Sequence, residues 1–108
     1  MANQDWIRGH LDLLLLAVLA DGPRHGYAAI EALKTRSGGQ LDVPEGSVYP
    51  ALHRLEAAGQ LRSSWSTASG RRRRVYEVTE DGRRALETGA SAWSGFAGSV
   101  ASVLGVTP

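Results

Sequence analysis

"TASGRRRRVYEVTEDG", residues 67–82, is the stretch on which the fold turns. Thr67 to Gly70 are small, turn-forming residues, and "RVYEVT" after them alternates, with Tyr76 and Val78 on one side, as a half-buried strand does. Upstream, Leu61, Ser63 and Trp65 alternate with polar or small residues, so the two runs form a hairpin closed by "TASG". Four consecutive arginines, Arg71 to Arg74, occupy its tip and the start of the returning strand. Like charges side by side repel, so folding alone does not ask for them, and an anionic partner does. Arg73 is the weakest member of the run for such contact, because strand alternation turns it away from the partner.

Working upstream, "GSVYPALHRLEAAGQL" spaces Val48, Leu52 and Leu55 four and three apart, the apolar face of a helix closed by Gly59. Pro50 constrains its start, because proline lacks an N–H and clashes with the carbonyl four residues back. Ser47 as N-cap would leave Pro50 in the first turn; a start at Pro44 would need a local distortion. Before it, "RHGYAAIEALKTRSGG" reads as a helix from about Gly26 to Arg36, ended by Gly38-Gly39, with Tyr27, Ile30 and Leu33 facing the core. His25 orders the turn that precedes it. The first helix carries Ile7, Leu11, Leu14, Leu15, Val18 and Leu19 at helical spacing, and Leu13 and Leu16 widen its apolar stripe until "DGP" stops it. Tyr27, Trp65, Tyr76 and Val78 are read as core.

Downstream, Thr79 is an N-cap, and Glu80 and Asp81 suit the first turn of a long helix running to about Leu104. Leu86, Ala90, Trp93, Ala97, Val100 and Leu104 repeat in steps of four and three, a heptad seam that needs a partner surface. Gly89, Gly95 and Gly98 weaken this helix, each by about 1 kcal/mol relative to Ala.

Composition bounds the rest. A chain of 108 residues makes one unit, here a winged part, 1–79, continuous with a C-terminal helix, 80–108. Cysteine is absent, which excludes disulfides, thiolate metal sites and cysteine nucleophiles. The longest apolar run, "LLLLAVLA", is far below the roughly 20 residues that span a bilayer, and a cytoplasmic protein with no membrane partner is expected. Net charge is only +1, but eleven of the twelve basic residues are Arg, whose planar fork of donors suits phosphate. His10, His25 and His53 lack metal-ligand spacing, and no phosphate-binding glycine loop or nucleophile–base pair appears. The reading is a non-enzyme without metal or cofactor.

Three short helices, a two-stranded hairpin and a trailing helix make a mainly α (α+β) winged helix-turn-helix. The helix carrying Ser47, Tyr49, Pro50, His53 and Arg54 is its recognition helix, with double-stranded DNA as the partner, and Arg71, Arg72 and Arg74 form a wing tip aimed at the DNA backbone or a minor groove.

Three blocks carry a resemblance: "LLLLAVLADGPRHGYAAIEAL", "GSVYPALHRLEAAGQL" and "GRRRRVYEVTEDGRRAL". In this order, over roughly residues 11 to 88, they resemble the PadR family of bacterial transcriptional regulators, in its compact form with one C-terminal helix. The resemblance implies a homodimeric repressor whose C-terminal helix dimerises, with Tyr49, its neighbours and the wing approaching DNA. Trp93 and Phe96, one turn apart, then read either as interface packing or as a site for a small, flat aromatic effector, which Trp6 would join. The glycines at 89, 95 and 98 are a departure that bears on the continuity of that helix. A different class of function, a winged helix that binds protein and never DNA, would be expected to have an uncharged wing.

Overall fold

A computed structural model describes residue 7, residues 9–68 and residues 70–107. In chain order the elements are α1 (Leu11–Leu19), β1 (Arg24–His25), α2 (Gly26–Arg36), α3 (Glu45–Ala57), β2 (Leu61–Ala68), β3 (Arg71–Val78) and α4 (Glu80–Leu104). Trp6 lies outside the described residues.

The three short helices form one apolar core. Leu15 and Leu19 of α1, Val48 and Leu52 of α3, and Leu61 at the base of β2 are its largest fully enclosed side chains. Tyr76 and Val78 close it from β3, so the hairpin is anchored by its base while its tip projects. β2 and β3 pair antiparallel from Leu61↔Val78 to Ala68↔Arg71. The expected two-stranded wing gains a third, two-residue strand: β1 pairs with β3 through Arg24↔Tyr76 and His25↔Val75, tying the entrance of α2 to the wing. Together these make a winged helix-turn-helix.

His25 caps α2, its Nδ1 accepting the Ala28 N–H at 3.3 Å. The recognition helix α3 starts at Glu45 with Pro44 as N-cap, not at Ser47. The Pro44 carbonyl accepts from both Ser47 N–H (3.0 Å) and Val48 N–H (3.2 Å), which secures the first turn. Pro50 therefore lies inside the helix. Its ring carries no N–H, so the carbonyl of exposed Gly46 lacks its intrahelical donor.

Thr79 caps α4 as expected, its Oγ1 accepting the Gly82 N–H at 3.1 Å. The helix runs 25 residues without a break through its glycines. One of them has a packing reason: a Cβ on Gly89 would stand 2.7 Å from Leu13 Cδ1, so the bare backbone lets α1 and α4 approach. No helix among the described residues is long and apolar enough to cross a membrane.

Candidate nucleic-acid interface

The recognition helix buries Val48, Ala51, Leu52 and Leu55 and turns Pro50, His53 and Arg54 outward; Ser47 and Tyr49 are half-buried. Tyr49 is not a free side chain. Its ring lies against Gly26 at the start of α2, so closely that a Cβ there would fall 2.5 Å from Cε1. Glycine in "HGY" thus seats the recognition helix, a role invisible in the sequence because the partners are far apart along the chain. Arg54 is also engaged: its Nη2 donates to Asp12 Oδ1 of α1 at 2.9 Å. The pair is exposed and worth little to stability, but it holds the guanidinium beside α1.

Alternation divides the arginine run between two faces of the wing. Arg72 and Arg74 share a face with Trp65, their guanidinium carbons 4.5 and 5.1 Å from its ring centroid. Trp65, expected in the core, is 53% exposed. It follows the inward alternation of Leu61 and Ser63, yet it stays outside the apolar core, with Arg72 and Arg74 over its ring. Arg74 Nε donates to Ser63 Oγ at 2.9 Å, and that hydroxyl donates to Glu56 Oε2 at 2.6 Å. The end of the recognition helix is thereby linked to the wing. Burial pushes the Tyr76 phenol above its ordinary pKa, and the Glu56 carboxylate adds to the shift.

Arg71 and Arg73 take the other face, and Arg73 Nη1 lies 3.2 Å from His25 Nε2. Among the described residues no carboxylate pairs with Arg71, Arg72 or Arg73; Arg74 alone has one, Glu56, at 3.9 Å. Tyr27 is a second correction: at 55% exposure it flanks the wing instead of entering the core. Gly26, Ala29, Ile30 and Leu33 form the buried stripe of α2, and Tyr27 sits about 100° round from Gly26. The small residues face inward, which a search for large apolar side chains does not find.

Tyr27, Tyr49, Trp65, His25 and the four arginines enclose one cleft of about 510 Å³ between the entrance of α2, the recognition helix and the wing. Its walls offer guanidinium donors, flat aromatic faces and a phenol, which are groups that suit phosphate and base surfaces. Residues 15–88 match the model of the transcriptional regulator PadR-like family. The chain belongs to that family. A transcriptional regulator of Mycobacterium tuberculosis is 41% identical over 83 residues, covering 77% of this chain and 75% of that protein. The crystal structure of a PadR family transcriptional regulator from Eggerthella lenta is similar with a TM-score of 0.81 at 29% identity, over 93% of this chain and 86% of the other. A transcriptional regulator from Clostridium thermocellum, at 24% identity, shares the fold with a TM-score of 0.84 over 93% of this chain and 95% of its own. This PadR-like protein is a DNA-binding transcriptional regulator and not an enzyme.

The sequence-derived seam divides in two. Leu86 packs on the core and Ala97 is half-buried, whereas Trp93 (51% exposed), Phe96 (66%), Val100 and Leu104 face outward. Ala90 is exposed and Ala101, outside the expected seam, is buried. Trp93, Phe96, Val100 and Leu104 line an apolar hollow of about 490 Å³ that also reaches Gly9 and His10.

Proposed function

We propose that this PadR-like regulator is a homodimeric repressor that binds a pseudo-palindromic duplex operator in the cytoplasm. The observation that carries the reading is the cleft in which the recognition helix and a wing of largely uncompensated arginines meet. Ser47, Tyr49, Pro50 and His53 present the recognition helix to the major groove, while Arg71, Arg72 and Arg74 meet phosphates. Arg54 joins them by exchanging Asp12 for DNA. The winged part, 1–79, does the binding, and the helix of 80–108 pairs two copies.

An apolar stripe from Trp93 to Leu104 on a monomer of this size is more than an isolated surface residue, and stripes of this kind mark association surfaces. Two chains joined there would set their recognition helices about 34 Å apart, one turn of DNA, which is why the operator should be pseudo-palindromic. The hollow beside Trp93 and Phe96 would take a planar aromatic effector, which would release DNA by favouring a dimer of different spacing.

The test is selection of bound sequences from a random duplex library, repeated with and without planar aromatic compounds. Two half-sites related by inversion are expected, with tryptophan fluorescence quenched by any compound that weakens binding. Enrichment of no sequence would leave a winged helix that binds protein instead. A single, asymmetric site would count against the dimer.

A further inference from the structure

We propose that His25 and Arg73 form a phosphate-binding pair that takes an oxygen of a DNA backbone phosphate between the imidazole Nε2–H and the guanidinium; this rests on the duplex-DNA reading above. His25 has the extended backbone of an N-cap, φ −77° and ψ 162°, and its Nδ1 accepts the Ala28 N–H. A ring nitrogen that accepts carries no hydrogen, so the ring's proton is on Nε2. That Nε2–H faces Arg73 Nη1 at 3.2 Å, and a guanidinium has donors only. Two donors therefore meet at hydrogen-bond distance, and neither has a carboxylate partner among the described residues.

The opposite tautomer would move the conflict to the cap without removing it. There the donor is a backbone N–H fixed in a helix and partly buried, whereas Arg73 is exposed and able to turn. The cap therefore decides the tautomer. Strand pairing decides the approach: His25 sits opposite Val75, two residues along β3 from Arg73, so both side chains leave the same face of the sheet. The pair is held by backbone register and is not a chance meeting of surface groups. What satisfies two converging donors is an acceptor with several lone pairs, and an anionic one offsets the arginine charge as well. A phosphate diester oxygen has both properties, and the pair lines the cleft between recognition helix and wing.

Long-range ¹H–¹⁵N correlation spectra of the free protein read the tautomer directly. Protonated Nε2 is expected; protonated Nδ1 would make Nε2 the acceptor of Arg73 and overturn the proposal. His25→Asn keeps an oxygen to cap α2 but removes the Nε2–H. It should melt close to the wild type and bind selected duplex about tenfold more weakly, with an unchanged salt slope. Arg73→Ala should flatten the log-affinity against log-salt slope by about 0.9 per protomer, and the double variant should lose less than the two single losses combined. Wild-type affinity in both single variants, while Arg71→Ala with Arg72→Ala weakens binding, would refute the pair and leave the DNA reading standing. No duplex binding by the wild type would remove that reading itself. If millimolar inorganic phosphate shifts the His25 ring resonances and His25→Asn leaves duplex affinity unchanged, the pair serves free phosphate and the DNA assignment is overturned.

Discussion

Gly26→Ala isolates how the recognition helix is seated. The added Cβ would stand 2.5 Å from Cε1, 2.7 Å from Cζ and 2.8 Å from Oη of Tyr49. All three separations are about 1 Å short of ordinary contact, and three atoms of one rigid ring must yield together. Tyr49 can yield only by rotating out of its half-buried place or by carrying α3 with it. Overpacking of this kind costs about 1–3 kcal/mol. Ala regains at most about 1 kcal/mol over Gly in a helix interior, and less at its first residue. With about 0.5 kcal/mol for that gain, a net loss of about 0.5–2.5 kcal/mol is expected from these two terms. Urea unfolding at one protein concentration reads it without interference from association. The decisive arm is the same substitution in a Tyr49→Ala background, where the ring is gone and Gly26→Ala should be neutral or slightly stabilising. Equal losses in both backgrounds, or none in either, would refute the packing argument. Duplex affinity should fall with Gly26→Ala alone, because the displaced ring belongs to the DNA-facing helix.

Gly82→Ala would bring a Cβ to 2.1 Å from the Gln60 carbonyl oxygen, which is backbone, and should cost at least about 2 kcal/mol in urea unfolding. Gly95→Ala meets nothing within 4 Å and should instead stabilise by up to about 1 kcal/mol through helix propensity. Phe96→Glu places a charge in the exposed stripe of α4 and should give monomers in sedimentation; dimers that persist would argue against that interface. Tyr76 has a raised folded pKa from burial and Glu56, so the native state holds its proton longer than the unfolded chain does. Its contribution is intact below the unfolded value of about 10 and is lost as pH rises through the folded value. Wild-type stability should therefore fall more than that of Tyr76→Phe as pH rises above about 10; equal falls would contradict this.

Much of this architecture is written in short-range pattern. The period over Leu11 to Leu19, the Thr79 cap and the alternation to Tyr76 and Val78 are local signals, and each element stands where they point; Ile7, expected in the same helix, lies ahead of the Gly9–His10 turn that precedes α1. The errors arise where a local rule meets a long-range contact. Alternation places Trp65 on the inner face but cannot tell where the core beneath a hairpin ends. The start of α3 depends on a carbonyl shared by two donors at Pro44, a geometry that the proline rule alone does not specify. Within the candidate interface the places of the arginine run and of α3 are legible in the sequence. The Asp12–Arg54 pair, the Tyr49–Gly26 contact and the His25–Arg73 contact are not, because they join residues 42, 23 and 48 positions apart. β1 leaves no mark in the sequence because two residues are too few to show a period.

The central claim, that this wing and recognition helix grip duplex DNA through uncompensated arginines, is tested most directly by one salt titration. Affinity for selected duplex is measured against salt for the wild type and for Arg71→Ala with Arg72→Ala. A steep wild-type slope is predicted, flattened in the variant by up to about 3.6, which is 0.9 for each of four arginines in a dimer. A wild-type affinity indifferent to salt, or the same slope in both proteins, would contradict it.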